Sequence, residues 1–133
     1  MSFLYPSYLH DAVLQLSQDT YKTMLLTDAY TPLKTHQRRS DVEAFEISGS
    51  GYTSGGIVRT FTTSFASGVM QINLAAVEFT GVTVTGVRYV VTYRDNGTTS
   101  ADDELVAVND LGTNQSDLSG SFKVGTSIYR NPA

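Results

Sequence analysis

The sequence predicts a mainly β chain: a single-domain antiparallel β-sandwich or jelly-roll-like fold with one short N-terminal helix. Three observations carry this expectation. The stretch Gly86-Val87-Arg88-Tyr89-Val90-Val91-Thr92-Tyr93-Arg94-Asp95 alternates, with Val87, Tyr89, Val91 and Tyr93 on one side and Arg88, Val90, Thr92 and Arg94 on the other. A period of 2 in β-branched and aromatic residues marks a strand with one buried face. About seven to nine short runs of this kind recur between clusters of turn-forming residues, the spacing of sandwiches and barrels. Only one stretch, near the N-terminus, carries helical periodicity.

The totals agree. With 133 residues, 41% of them hydrophobic, the chain has room for one domain, residues 1–133, and material for one core. Charged residues make up 17%, below the ~25% of ordinary globular chains. Much of the surface is therefore Ser, Thr, Asn and Gly, or is covered by other subunits. The net charge is −4 and only Arg38-Arg39 are adjacent basic residues, so there is no basic patch for nucleic acid. There is no Cys, which excludes disulfides and thiolate metal sites. No run approaches the ~20 apolar residues that span a bilayer, so no membrane partner is expected. No basic segment followed by an apolar one opens the chain, as a secretory leader would.

In chain order, residues 1–6 read as an N-terminal arm ending at Pro6. Ser7 is placed to cap a helix of about ten residues starting at Tyr8. Leu9, Ala12, Val13 and Leu16 fall on one helical face, to be packed against the sheet, with His10, Asp11 and Gln15 outside. Thr20 to Leu26 is the first strand. Thr27 to Ser40 is a long polar connection, a kind of segment that is usually functional or covered by a partner. Asp41 to Ile47 fits either a strand or a helical turn. Ser48-Gly49-Ser50-Gly51-Tyr52-Thr53-Ser54-Gly55-Gly56 is a loop with positive-φ turns. Ile57 to Phe65 is a strand, Ala66-Ser67-Gly68 a turn, and Val69 to Leu74 a further strand. Ala76 to Phe79 and Val82 to Val84 lead to the alternating stretch, which Asp95-Asn96-Gly97 ends. Glu104 to Asp110 is its antiparallel neighbour, and the two form the centre of the sheet. Ser121 to Gly125 is the last clear strand, with Ser127 to Tyr129 as its extension.

No motif carries catalytic or metal chemistry, so catalytic, cofactor-binding and metal residues are all expected to be absent and the chain is read as a non-enzyme. The glycines of 49–56 lack a following Lys-Ser/Thr and lead into a strand, so no helix N-terminus faces an anion. His10 and His36 are the only imidazoles, and no Gly-x-Ser-x-Gly stretch accompanies them. Asp102-Asp103-Glu104, Asp110 and Asp117 lack the alternating carboxylates of a calcium loop and read as a solvated tip. Tyr52, Tyr89, Tyr93 and Tyr129 are packing residues or interface anchors.

Five segments together carry a resemblance: Lys22-Thr23-Met24-Leu25-Leu26-Thr27, Tyr30-Thr31-Pro32, the Ser48–Gly56 loop, Val90-Val91-Thr92-Tyr93-Arg94-Asp95-Asn96-Gly97, and Leu105-Val106-Ala107. In this order, from about residue 8 to residue 125, they resemble a family of small tailed-bacteriophage virion structural proteins. The glycine–tyrosine loop is the most specific part. Ala76-Val77-Glu78-Phe79 departs from the family, whose members often carry Trp there. The resemblance implies a β-sandwich in the virion, assembled in the host cytoplasm, with no catalytic motif. It implies either a capsid decoration (cement) subunit or a tail-associated receptor- or glycan-binding module. The acidic, charge-poor composition favours the first: a homo-oligomer, dimer or trimer, whose partners are the major capsid protein and copies of itself. Arg38-Arg39 are then either solvated or paired with acidic shell surface. The tail alternative requires an exposed aromatic-lined groove near residues 49–56 and 95–103.

Overall fold

The structure, a computed structural model, describes Ser2, residues 5–16 and residues 18–131. The chain runs through helix α1 (Pro6–Leu16) and seven strands: β1 (Tyr21–Thr27), β2 (Ile57–Val58), β3 (Phe61–Ala66), β4 (Val69–Leu74), β5 (Val77–Arg94), β6 (Leu105–Val124) and β7 (Ser127–Asn131). All pairings are antiparallel. One sheet has the order β2-β1-β5-β6 and the other β3-β4-β7. They meet as a β-sandwich through Tyr21 of the first sheet and Phe61 and Leu74 of the second, with Ile72 and Ala107 alongside. The Tyr21 and Phe61 rings stack at 4.5 Å.

The larger sheet is covered on both faces. On one, Leu25, Val87 and Val90 join Ile47, Phe79, Val82, Val84, Phe122 and Val124. On the other, Met24, Leu26, Val91 and Tyr93 lie under Tyr30, Val42 and Phe45 from the connection between β1 and β2. The alternating stretch was expected to have one buried face; Val90 and Thr92 are as buried as Val91 and Tyr93. Val87 falls in with Val90 because the register shifts between Val87 and Tyr89.

Several boundaries differ from expectation for physical reasons. The helix begins at Pro6, whose fixed φ suits a first helical position, so Ser7 lies inside it. It lies against β3 and β4. Ala12 is exposed, while the side chains of Leu9, Val13 and Leu16 lie outside the described residues. Of the expected arm, Met1, Phe3 and Leu4 also lie outside them. Asp41 to Ile47 forms two 3-10 turns, Arg39–Asp41 and Glu43–Phe45, and then a bridge from Glu46 to Leu26. The strand expected over Ile57 to Phe65 breaks at Arg59-Thr60, because the Arg59 side chain turns inward where the chain changes sheets. Ser67 and Gly68, both with positive φ, close the β3–β4 hairpin as its two central residues, the geometry that matches strand twist.

β5 and β6 are far longer than the runs expected. β5 absorbs Val77 to Val84 because Gly81 and Gly86, at positive φ, let the ladder bulge without ending. β6 runs through the polar segment 111–120 and also takes in Ser121 to Val124, since the backbone pairing continues along β5. Of the two strands expected at the centre of the sheet, β5 lies inside it, beside β1, and β6 is an edge strand. Residues 127–131 join the other sheet instead of extending β6.

Candidate interaction surface

The motifs behind the family resemblance meet in space. Glu46 gathers the glycine–tyrosine loop: its carboxylate accepts from Tyr52 Oη at 2.7 Å, Ser54 Oγ at 3.1 Å and the Gly55 amide at 2.8 Å. Tyr52 Oη in turn accepts from the Leu25 amide of β1, and Tyr93 of β5 donates to the Gly55 carbonyl. A Cβ on Gly49, Gly51 or Gly56 would overlap the backbone carbonyls of Thr83, Gly81 and Thr23 respectively. The loop is therefore pressed flat on the sheet, and glycine is required by close approach as much as by φ. Burial, with the adjacent Glu46 charge adding to it, holds the Tyr52 hydroxyl far above its usual range, and burial pushes Tyr93 up to about 12.

The turn after β5 is tied down in the same way. Asp103, expected at a solvated tip, is 1% exposed. It accepts from Arg39 Nε at 2.8 Å and from the Asn96 amide at 2.9 Å. The Arg39 guanidinium also lies 5.0 Å over the Tyr93 ring and 3.8 Å from Glu43, so Arg39 is paired within the fold while Arg38 is exposed. Lys22 meets Asp95 at 3.1 Å, and Arg94 joins Asp19 to Glu104.

A buried cation links the two sheets. Arg59 is 1% exposed. It donates to the Ala75 and Gly125 carbonyls and to the Thr92 and Ser127 hydroxyls, and Thr92 is also bonded to Thr23 at 2.8 Å. All four acceptors are neutral, and burial lowers the pKa of the guanidinium. Nothing in the sequence singled this residue out; the one available sign was a charge inside an otherwise apolar run.

The two imidazoles lie in separate places and neither is on the open surface. His36 Nδ1 is 3.0 Å from Tyr30 Oη. His10, expected on the helix's outer face, is half-buried against Phe65 and lies 3.4 Å from Thr63 Oγ1 and 3.8 Å from Asp11. Those spacings are longer than the ~2.6–3.2 Å of a working nucleophile–base pair. Asp110 is bound by Arg88 at 2.6 Å. Among the described residues, no three His, Asp or Glu are grouped to hold a metal ion, and no helix is long and apolar enough to cross a membrane. Of the four tyrosines expected to pack or to anchor an interface, Tyr52 and Tyr93 face the interior; Tyr89 packs edge-on against Tyr30, and Tyr129 is 39% exposed.

The surface feature the sequence did not disclose lies on β6. Val106 and Val108 are about 40% exposed (40% and 41%), and Leu33 nearby is 54% exposed. A groove of about 200 Å³ runs between Val108, Val91, Tyr30, His36 and Leu33. A second, of about 260 Å³, is walled by Tyr21, Phe61, Ile72, Arg94 and Glu104. Leu105 and Val106 line both. Val91 belongs to the core under the β1–β2 connection, whereas Tyr21 and Phe61 belong to the inter-sheet core. The two grooves therefore open on opposite faces of one strand edge. The register pairs Tyr93 with Leu105 and Thr92 with Ala107, so Val106 between them is the extra residue of a bulge, and it lines both grooves. No family model matches the chain, nor does any curated protein or solved structure.

Proposed function

We propose that this is a structural bacteriophage virion protein, a capsid decoration or cement subunit that binds and stabilises the assembled shell. The observation that carries the reading is the apolar strip of Val106 and Val108 on an edge strand, with Leu33 of the β1–β2 connection beside it and a groove on either side. Contiguous apolar surface of this kind is a contact surface when its surroundings are polar. The resemblance in the Ser48–Gly56 loop and the Val90–Gly97 stretch supplies the virion context. A subunit that binds only the assembled shell stabilises it by mass action. Its partners are the major capsid protein and copies of itself.

The test is stoichiometry in purified virions, by quantitative gel densitometry against the major coat protein. A ratio of one per coat subunit, or a simple fraction of it, is expected. A few copies per hundred coat subunits would overturn the reading and place the protein in the tail as a receptor- or glycan-binding module.

A further inference from the structure

We infer that the outer edge of β6, from Val106 to Asp110, accepts an extended segment of a partner protein as an added strand. The segment has apolar side chains on successive residues and a basic residue at either end. This rests on reading the β6 side as the contact surface.

The chain itself begins such an addition and abandons it. The amide of Leu105 donates to the Gln37 carbonyl, and that of Arg39 to the Asp103 carbonyl, an antiparallel bridge between Arg38 and Glu104. The connection then peels away, and beyond Leu105 no described residue pairs with the outer side of β6. An exposed strand edge is a template for pairing. Natural edges are commonly blunted by charge or proline, yet here the exposed residues before Asp110 are Val106 and Val108.

Side chains of an added strand alternate between the two faces of the sheet. At this edge both faces are grooved, so alternate residues of the incoming segment enter the groove at Tyr30 and Val108 and the groove at Tyr21 and Phe61. An ordinary amphipathic strand would leave one groove empty; a segment apolar at every position fills both. Glu104 and Asp110 flank the open stretch; each already meets an arginine, Arg94 and Arg88, and their side chains remain 37% and 52% exposed. Those acids set the preference for Lys or Arg at the segment's ends.

The same charges disfavour a second copy as the occupant. Two-fold pairing centred on Ala107 sets Glu104 against Asp110 of the other copy, and like charges directly opposed destabilise a ladder. Shifting the centre to Val108 sets Asp110 against Val106, a carboxylate at the mouth of both grooves.

The test is titration of the full chain with a short peptide of alternating Val and Ile, bounded by Lys and carried on a soluble domain. Two control peptides accompany it. One has Ser at every second position; the other is N-methylated on alternate residues. The parent peptide is expected to bind and to slow amide exchange at residues 106–110. Each control should bind more weakly by at least about tenfold. Val106→Lys with Val108→Lys, both at exposed positions, should abolish binding while the circular dichroism spectrum is unchanged. Absence of binding by the parent peptide, or equal binding of the N-methylated one, overturns strand addition. So does retention of the double variant on virions at the wild-type level, an outcome that leaves the shell reading standing. Absence of the wild-type protein from virions removes the shell reading, and the peptide titration then decides the edge by itself.

Discussion

A single arginine decides how the two sheets are joined. Replacing Arg59 by Met keeps the length but leaves the Ala75 and Gly125 carbonyls without this donor, while Thr92 keeps its bond to Thr23 and Ser127 its bond from Asn109. The expected loss is about 2–4 kcal/mol by urea denaturation, since stranded buried polar groups cost more than the bonds they made. Arg59→Lys should recover only part of this, because an ammonium cannot reproduce the planar fork. The glycines offer a second contrast. Gly68 and Gly56 both have positive φ, but a Cβ on Gly68 meets open space whereas one on Gly56 overlaps the Thr23 carbonyl. Gly68→Ala should therefore cost roughly 1–2 kcal/mol in backbone strain. Gly56→Ala should cost on the order of 2–4 kcal/mol, and the difference is readable in one melting series. Loop character at 49–56 was legible from glycine count. The reason for those glycines was not, since it depends on carbonyls far away in sequence.

Strand character was legible wherever one face is buried and the other is not, as in Val69 to Leu74. It failed in two directions. The segment 111–120 is largely polar and exposed, so no periodicity marks it, and only its pairing to β5 makes it a strand. Residues 57–65 look continuous, yet the chain leaves one sheet for the other at Arg59. The open edge was illegible for a related reason: Glu104 to Asp110 is apolar enough to suit a central strand, and its place at the margin follows from strand order, which no local pattern encodes. Strand order also sets local stability. Amides of residues 24–26 and 90–92, paired in the centre of the sheet and covered on both faces, should exchange slowest. Those of residues 111–120 should exchange fastest within the sheets. Comparable protection across β6, measured by hydrogen exchange, would mean the ribbon is covered by something else.

Over the molecule as a whole, titratable groups set a window of pH stability. The Asp41 carboxyl is held low by the Gln37 and Arg38 amides, Asp95 by the Gly97 amide and Lys22, and Asp110 by Arg88. A depressed carboxylate contributes in full above its unfolded pKa of about 3.9, and that contribution is lost as the pH falls through this value towards the folded one. The melting temperature should therefore fall below about pH 4, less steeply in Asp95→Asn, whose starting stability is lower. At the other end, burial raises Tyr21, Tyr30, Tyr52 and Tyr93. A phenol raised on folding stabilises fully below its unfolded pKa of about 10 and ceases to do so as the pH climbs through its folded value; for Tyr93 that value is about 12. Phenolate absorbance should show these four of the 8 tyrosines ionising together with unfolding, after the exposed ones.

The Arg59 cluster also orders events in time. The guanidinium's acceptors are supplied by residues 75, 92, 125 and 127, all made after it. On the ribosome the first sheet has all its strands only when β6 has emerged, and even then the cation between the sheets lacks its last two partners. A nascent chain stalled before Gly125 could bury that charge only half-satisfied, so closure of the sandwich is expected to wait for the final strand.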